Sequence, residues 1–144
     1  MTVKYKEHKN FGFLIERTIK KIRQNLQKRF ADNNIDITVD QWVILDQLNN
    51  RNGMSQNELA ECTYKDAPTV TRIIDLLCKK DLTTRVMDKD DRRRFKIMLT
   101  NEGNKVIEKA LPEVYAIRKQ GWEGLEDTDY KNLMRILDTI YKNF

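Results

Sequence analysis

Five glycines and two prolines are the whole supply of backbone breakers in 144 residues, and this scarcity constrains the fold more than any other feature of the chain. A sandwich or barrel of short strands needs a turn roughly every 8 to 12 residues, and those turns draw on glycine and proline. The chain must therefore be mainly helical. Its length falls within the roughly 100 to 200 residues of one domain, so a single folding unit spanning residues 1–144 is expected. A chain of this size buries roughly 68 to 70% of its unfolded surface and needs no disulfide or metal to hold it. No apolar run approaches the roughly 18 residues of a spanning helix, and the first 30 residues carry charge throughout. Neither a membrane span nor a secretory signal is expected, which points to the cytoplasm.

Periodicity places the elements. Phe11, Ile15, Ile19, Ile22, Leu26 and Phe30 recur every three or four residues, one apolar stripe on a long first helix. Asn33, Asn34 and Asp36 end it. Thr38 followed by Gln41 predicts a capping box opening a second helix over 39–49, buried through Trp42, Ile44, Leu45 and Leu48. After a turn at residues 49–53, Ser55 and Glu58 predict another capping box and a short third helix carrying Leu59, Ala60 and Cys62. A fourth helix begins at Ala67, Pro68 and Thr69, where proline fits because first-turn amides lack intrahelical partners. Val70, Ile73, Ile74, Leu77 and Cys78 face its core, leaving Thr69, Thr71, Arg72 and Asp75 outward.

Residues 83–86 and 95–99 are short β-prone runs, with Phe95, Ile97 and Leu99 alternating against Lys96 and Met98. They predict a hairpin whose tip carries Lys89, Arg92, Arg93 and Arg94. Thr100 caps a fifth helix reaching about Trp122, with Val106, Ile107, Ala110, Leu111, Val114 and Tyr115 inward and a bend at Pro112. On a sixth, Tyr130, Leu133, Met134, Leu137, Ile140, Tyr141 and Phe144 form an apolar face running to the last residue.

The net charge of +5 is unevenly spread. Residues 4–29 carry nine basic and two acidic side chains, residues 30–78 three and eight, and residues 79–96 eight and four. Local excesses of +7 and +4 thus flank a stretch of −5. A basic stretch can be a solvated face or a footprint for an anionic partner such as nucleic acid. Catalytic chemistry has nothing to stand on: there is no GxSxG, no glycine-rich phosphate loop, and the one histidine, His8, stands beside no nucleophile. Two cysteines, Cys62 and Cys78, are too few for a zinc site or a disulfide framework, and no cofactor is expected. Both sit among apolar positions, which suits buried, inert thiols; oxidant sensing is the alternative.

Two short helices, the second with a polar outer face, followed at once by a basic hairpin and flanked by long amphipathic helices, describe a winged helix-turn-helix within a helical frame. In that geometry the second helix of the pair enters the major groove and the hairpin meets the adjacent backbone or minor groove. Short hydroxyls and one long cation, Thr69, Thr71 and Arg72, suit base edges and phosphates, with simple solvation as the alternative. Lys65, just before the helix, belongs to the same expected DNA contacts. Residues 69–103, TVTRIIDLLCKKDLTTRVMDKDDRRRFKIMLTNEG, resemble the recognition helix, wing and following turn of MarR-family transcriptional regulators, above all in DRR at 91–93, LT at 99–100 and Gly103. The resemblance extends over nearly the whole chain.

That resemblance implies that Asp91 orients Arg93 into the minor groove, while Arg92 and Arg94 are left for phosphates. It implies a homodimer on an imperfectly palindromic double-stranded operator, with residues 37–100 as the DNA-binding lobe and residues 1–36 and 101–144 as the dimerisation region. It also implies a small aromatic effector, for which Phe13, Trp42 and Tyr115 are candidate linings and Arg17 a carboxylate partner; ordinary core aromatics are the alternative. The recognition helix departs from a fully cationic surface at Asp66 and Asp75. The function expected is a dimeric repressor without enzymatic activity, and the competing expectation is a winged-helix protein-interaction or architectural module without a specific operator.

Overall fold

The computed structural model describes Lys4 and residues 11–144. Lys6, Glu7 and Lys9 of the basic N-terminal stretch, and His8, lie outside the described residues. The chain runs α1 (Phe11–Asp32), α2 (Val39–Asn50), β1 (Met54–Ser55), α3 (Gln56–Thr63), α4 (Ala67–Lys79), β2 (Thr83–Met87), β3 (Phe95–Leu99), α5 (Asn101–Gly121) and α6 (Asp127–Lys142). No described helix is long and apolar enough to cross a membrane.

The core lies where α2, α3 and α4 close on β3, with Ile44, Leu45, Leu48, Leu59, Val70, Ile74, Leu77 and Ile97 fully buried. Only the C-terminal part of α1 joins it, through Leu26 and Phe30, and Phe30 meets Trp42 edge-on at 6.2 Å between ring centroids. Such a pair contributes about 0.5 to 1.5 kcal/mol beyond the area it buries. The rest of the α1 stripe, Phe11, Ile15, Ile19 and Ile22, is exposed, and α6 buries none of its residues despite its strong apolar face. Two long apolar faces are thus left uncovered within the chain. The α6 helix stops at Lys142, so Phe144 lies beyond it and is fully exposed.

Local chemistry fixes the element boundaries. Thr38 and Gln41 form the expected reciprocal box, the Thr38 hydroxyl accepting from the Gln41 amide at 3.0 Å and Gln41 Oε1 from the Thr38 amide at 3.1 Å. Ser55 caps α3 by accepting from the Glu58 amide at 3.2 Å, but the second half of that expected box does not form. The Glu58 carboxylate is drawn instead to Arg51 at 2.6 Å and Arg94 at 3.6 Å, because charged partners outbid a neutral amide. The α5 helix continues unbroken through Pro112, and Tyr115 is exposed rather than inward.

The sheet has three antiparallel strands in the order β1, β3, β2. The hairpin was legible in the sequence; β1, which pairs Met54 with Ile97 and Ser55 with Lys96, was not. Gly53, at φ +82°, makes the turn into β1 and donates to the Ile97 carbonyl at 3.0 Å. Of the alternating β3 residues only Ile97 is buried, while Phe95 stays exposed because the distal half of the hairpin projects beyond the core. The base of the wing is pinned to α5: the Thr100 amide donates to the Leu82 carbonyl at 3.1 Å, and a Cβ on Gly103 would lie 2.1 Å from that same oxygen.

Candidate nucleic-acid interface

The helix pair α3 and α4 is joined by a turn in which Tyr64 adopts the left-handed conformation at φ 56°. Asp66 then caps α4: Oδ1 accepts from the Thr69 amide and Oδ2 from the Thr69 hydroxyl, each at 2.8 Å. These bonds hold the Asp66 carboxyl below the ordinary aspartate range, so it is ionised at the positive end of the helix dipole. Its charge therefore serves the helix start. The other departure, Asp75, is neutralised by Arg85 of β2 at 2.6 Å, an ion pair that ties the wing base to α4.

On α4, Val70, Ile73, Ile74 and Leu77 face the core and Arg72 and Asp75 are exposed, with Thr69 and Thr71 partly exposed at the flanks. Thr71 donates its hydroxyl hydrogen to the Ala67 carbonyl at 3.0 Å and accepts from Gln56 Nε2 at 2.9 Å. Gln56 in turn accepts from Arg85 Nε at 3.0 Å. Sequence reading missed Gln56 and Arg85, because neither stands in a local motif that announces a partner 15 or 29 residues away.

The wing tip is a compact turn. The Asp88 amide donates to the Arg94 carbonyl at 2.9 Å, the Arg94 amide to the Asp91 carbonyl at 3.0 Å, and the Asp90 amide to Asp88 Oδ1 at 2.9 Å. A single oxygen, Asp91 Oδ1, accepts from both the backbone amide of Arg93 at 3.0 Å and its Nε at 3.3 Å. The two bonds hold the Asp91 carboxyl below its ordinary range, and the Arg93 side chain stands 91% exposed. The pair thus fixes the direction of a guanidinium whose remaining donors face solvent.

The other expected contacts are placed differently from one another. Arg92 is exposed at the tip. Arg94 folds back onto the start of α3, donating to Ser55 Oγ at 3.2 Å, and borders with Arg93, Asn57 and Phe95 a depression between α3 and the wing. Lys65 is bound at 2.8 Å to Asp40, which also takes Arg23 of α1 at 2.7 Å. Burial opposes ionisation of Asp40, but these two cations together hold its carboxyl below the ordinary range.

Of the four residues expected to line an effector site, Trp42 is packed in the core on Phe30, whereas Phe13, Arg17 and Tyr115 are exposed. Phe13 borders a shallow depression with Phe11, Gly12 and Glu16 only, so the chain does not gather the four. The cysteines are half-buried; Cys78 Sγ lies 3.3 Å from Thr83 Oγ1, and burial pushes the Cys62 thiol up, away from the reactive thiolate.

Residues 37–95 match the model of the MarR family. The chain is 29% identical over 107 residues to an uncharacterised HTH-type transcriptional regulator, YhbI, of Bacillus subtilis, covering 74% of this chain and 70% of that one. Its fold is similar to that of MepR from S. aureus in complex with DNA, with a TM-score of 0.87, 22% identity, and 95% and 100% of the two chains covered. It is also similar to CouR from Rhodococcus jostii bound to p-coumaroyl-CoA, with a TM-score of 0.80, 24% identity and 92% of each chain covered. Helix pair, braced hairpin and family match agree over this segment: residues 37–95 form a winged helix-turn-helix similar to that of the MarR family of transcriptional regulators.

Proposed function

We propose that the protein is a repressor that binds an imperfectly palindromic double-stranded operator as a homodimer, with α4 in the major groove and the wing in the adjacent minor groove. The observation that carries this reading is the wing tip, where Asp91 aims an otherwise free Arg93 into solvent. A narrow minor groove concentrates negative potential and attracts such a cation. Arg72 on α4 and Arg92 at the tip add exposed positive charge on either side.

Dimerisation follows from the uncovered faces of α1 and α6. Ile15, Ile19, Leu133, Met134 and Leu137 are each at least 37% exposed in the protomer, and a second copy covering them explains an apolar stripe that a soluble chain would not otherwise keep. In this arrangement residues 37–100 form the DNA-binding lobe and residues 1–36 and 101–144 the dimerisation region, and the protein acts in the cytoplasm. A small aromatic effector, for which the ligand-bound state of the similar CouR gives support, releases the operator by binding at the frame, with Phe13, Arg17, Trp42 and Tyr115 as its candidate residues.

Competition of a labelled operator with unlabelled random DNA tests the reading. A specific regulator prefers its site by at least about 10³-fold. Equal competition by both DNAs would instead identify an architectural or protein-docking module. Footprinting should protect two half-sites about 10 to 10.5 bp apart, or a multiple of that.

A further inference from the structure

We propose that Thr71 is a specificity-determining residue of the DNA interface and reads its base only as an acceptor, selecting the exocyclic amino group of adenine or cytosine in the major groove. The inference rests on the operator-binding reading above and deepens it.

The direction of every hydrogen bond around Thr71 is fixed by groups with no choice of role. Arg85 can only donate, and it gives Nη2 to Asp75 at 2.6 Å and Nε to Gln56 Oε1 at 3.0 Å. That contact settles the amide of Gln56: its oxygen faces the wing, so its Nε2 faces α4 and donates to Thr71 Oγ1 at 2.9 Å. The Ala67 carbonyl can only accept, and it takes the Thr71 hydroxyl hydrogen at 3.0 Å. A hydroxyl has one hydrogen and two lone pairs. Here the hydrogen and one lone pair are committed, and one lone pair remains.

Thr69, on the other flank of the helix, is committed in the same sense, because its hydroxyl must donate to the Asp66 carboxylate. Neither hydroxyl can then serve a phosphate, whose oxygens only accept. In the major groove, adenine N6 and cytosine N4 are donors, while purine N7, guanine O6 and thymine O4 are acceptors. The free lone pair of Thr71 is matched to the first group and repelled by the second. Because the bonds run from Asp75 through Arg85 and Gln56 to Thr71, the wing base and α3 together set what the recognition helix can read.

The test begins with operators selected from a random duplex pool by the wild-type protein and by Thr71→Val and Thr71→Ser, each checked for unchanged far-UV circular dichroism. At the base pair that the valine variant ceases to discriminate, the amino group is deleted, with purine replacing adenine or 2-pyrimidinone replacing cytosine. In a separate duplex, the purine of that pair is replaced by its 7-deaza analogue. Amino deletion should weaken binding of the wild type and the serine variant about 2- to 10-fold per half-site, the scale of one hydrogen bond, and leave the valine variant unaffected. The 7-deaza duplex should bind all three as before. Weakening by the 7-deaza base without weakening by amino deletion overturns the assignment, as does a valine variant that selects the same bases everywhere. A wild-type pool with no enriched sequence refutes operator recognition itself, and this inference falls with it.

Discussion

Adding one methyl group at Gly103 and one at Gly121, both within α5, should have opposite effects on stability. In an exposed helix, alanine is favoured over glycine by about 1 kcal/mol, and local propensity alone predicts a gain at both sites. At Gly121 the new Cβ meets nothing within 4 Å, so the gain should appear. At Gly103 it would lie 2.1 Å from the Leu82 carbonyl oxygen and 3.1 Å from its carbon, so backbone must move by about 1 Å to relieve the overlap. That oxygen accepts from the Thr100 amide at 3.1 Å, and Thr100 Oγ1 caps the helix through the Gly103 amide at 3.0 Å. Overpacking costs about 1 to 3 kcal/mol, and a distorted hydrogen bond adds about 0.5 to 1.5. After subtracting the propensity gain, Gly103→Ala should destabilise by about 0.5 to 3.5 kcal/mol. With a urea m-value near 2 kcal/mol/M, its midpoint should fall by roughly 0.3 to 1.8 M, while that of Gly121→Ala rises by up to about 0.5 M. Protomer concentration must be equal throughout, since association contributes to the midpoint. An unchanged or raised midpoint for Gly103→Ala would refute the close approach of α5 to the wing base.

Arg93→Ala should weaken operator binding with circular dichroism and dimerisation unchanged, and should reduce the slope of log K against log salt by up to about 2, one contact in each wing of a dimer. Asp91→Ala should also weaken binding, although simple electrostatics predicts the reverse for loss of a negative charge near DNA; tighter binding would make Asp91 a bystander. Deleting residues 138–144 removes Ile140, Tyr141 and Phe144, and sedimentation should then show monomer or aggregate; a well-folded dimer would displace the interface from α6. Burial raises the Asp46 carboxyl above the ordinary range, outweighing the nearby Arg118, so its ionised form costs the folded state. Asp46→Asn should therefore be more stable than the wild type at neutral pH, and chemical denaturation should show that advantage vanish as pH falls through the raised folded value toward the unfolded one.

The helices, their order and the wing are legible in the sequence because their causes are local. An apolar period of three to four defines α1, α4 and α6, and the Thr38, Ser55 and Thr100 caps each act on an amide three residues away. The basic hairpin is legible for the same reason, whereas the pairing of Asp91 with Arg93 came only through the family resemblance, although its two bonds span just two residues. Tertiary structure decided the rest. In sequence Asp66 and Asp75 only dilute the positive charge of α4; in the fold one caps the helix and the other holds Arg85. Glu58 suits a capping box, yet is taken by Arg51 and Arg94, the second of which β3 brings from 36 residues away. Strand β1 exists because Ile97 and Lys96 offer it a partner edge, and Tyr115 lies outside a core that its neighbours enter. Period and cap depend on residues within a turn or two of each other, whereas the partner of a charge, the edge for a strand and the covered side of a helix depend on what the chain brings back from far away.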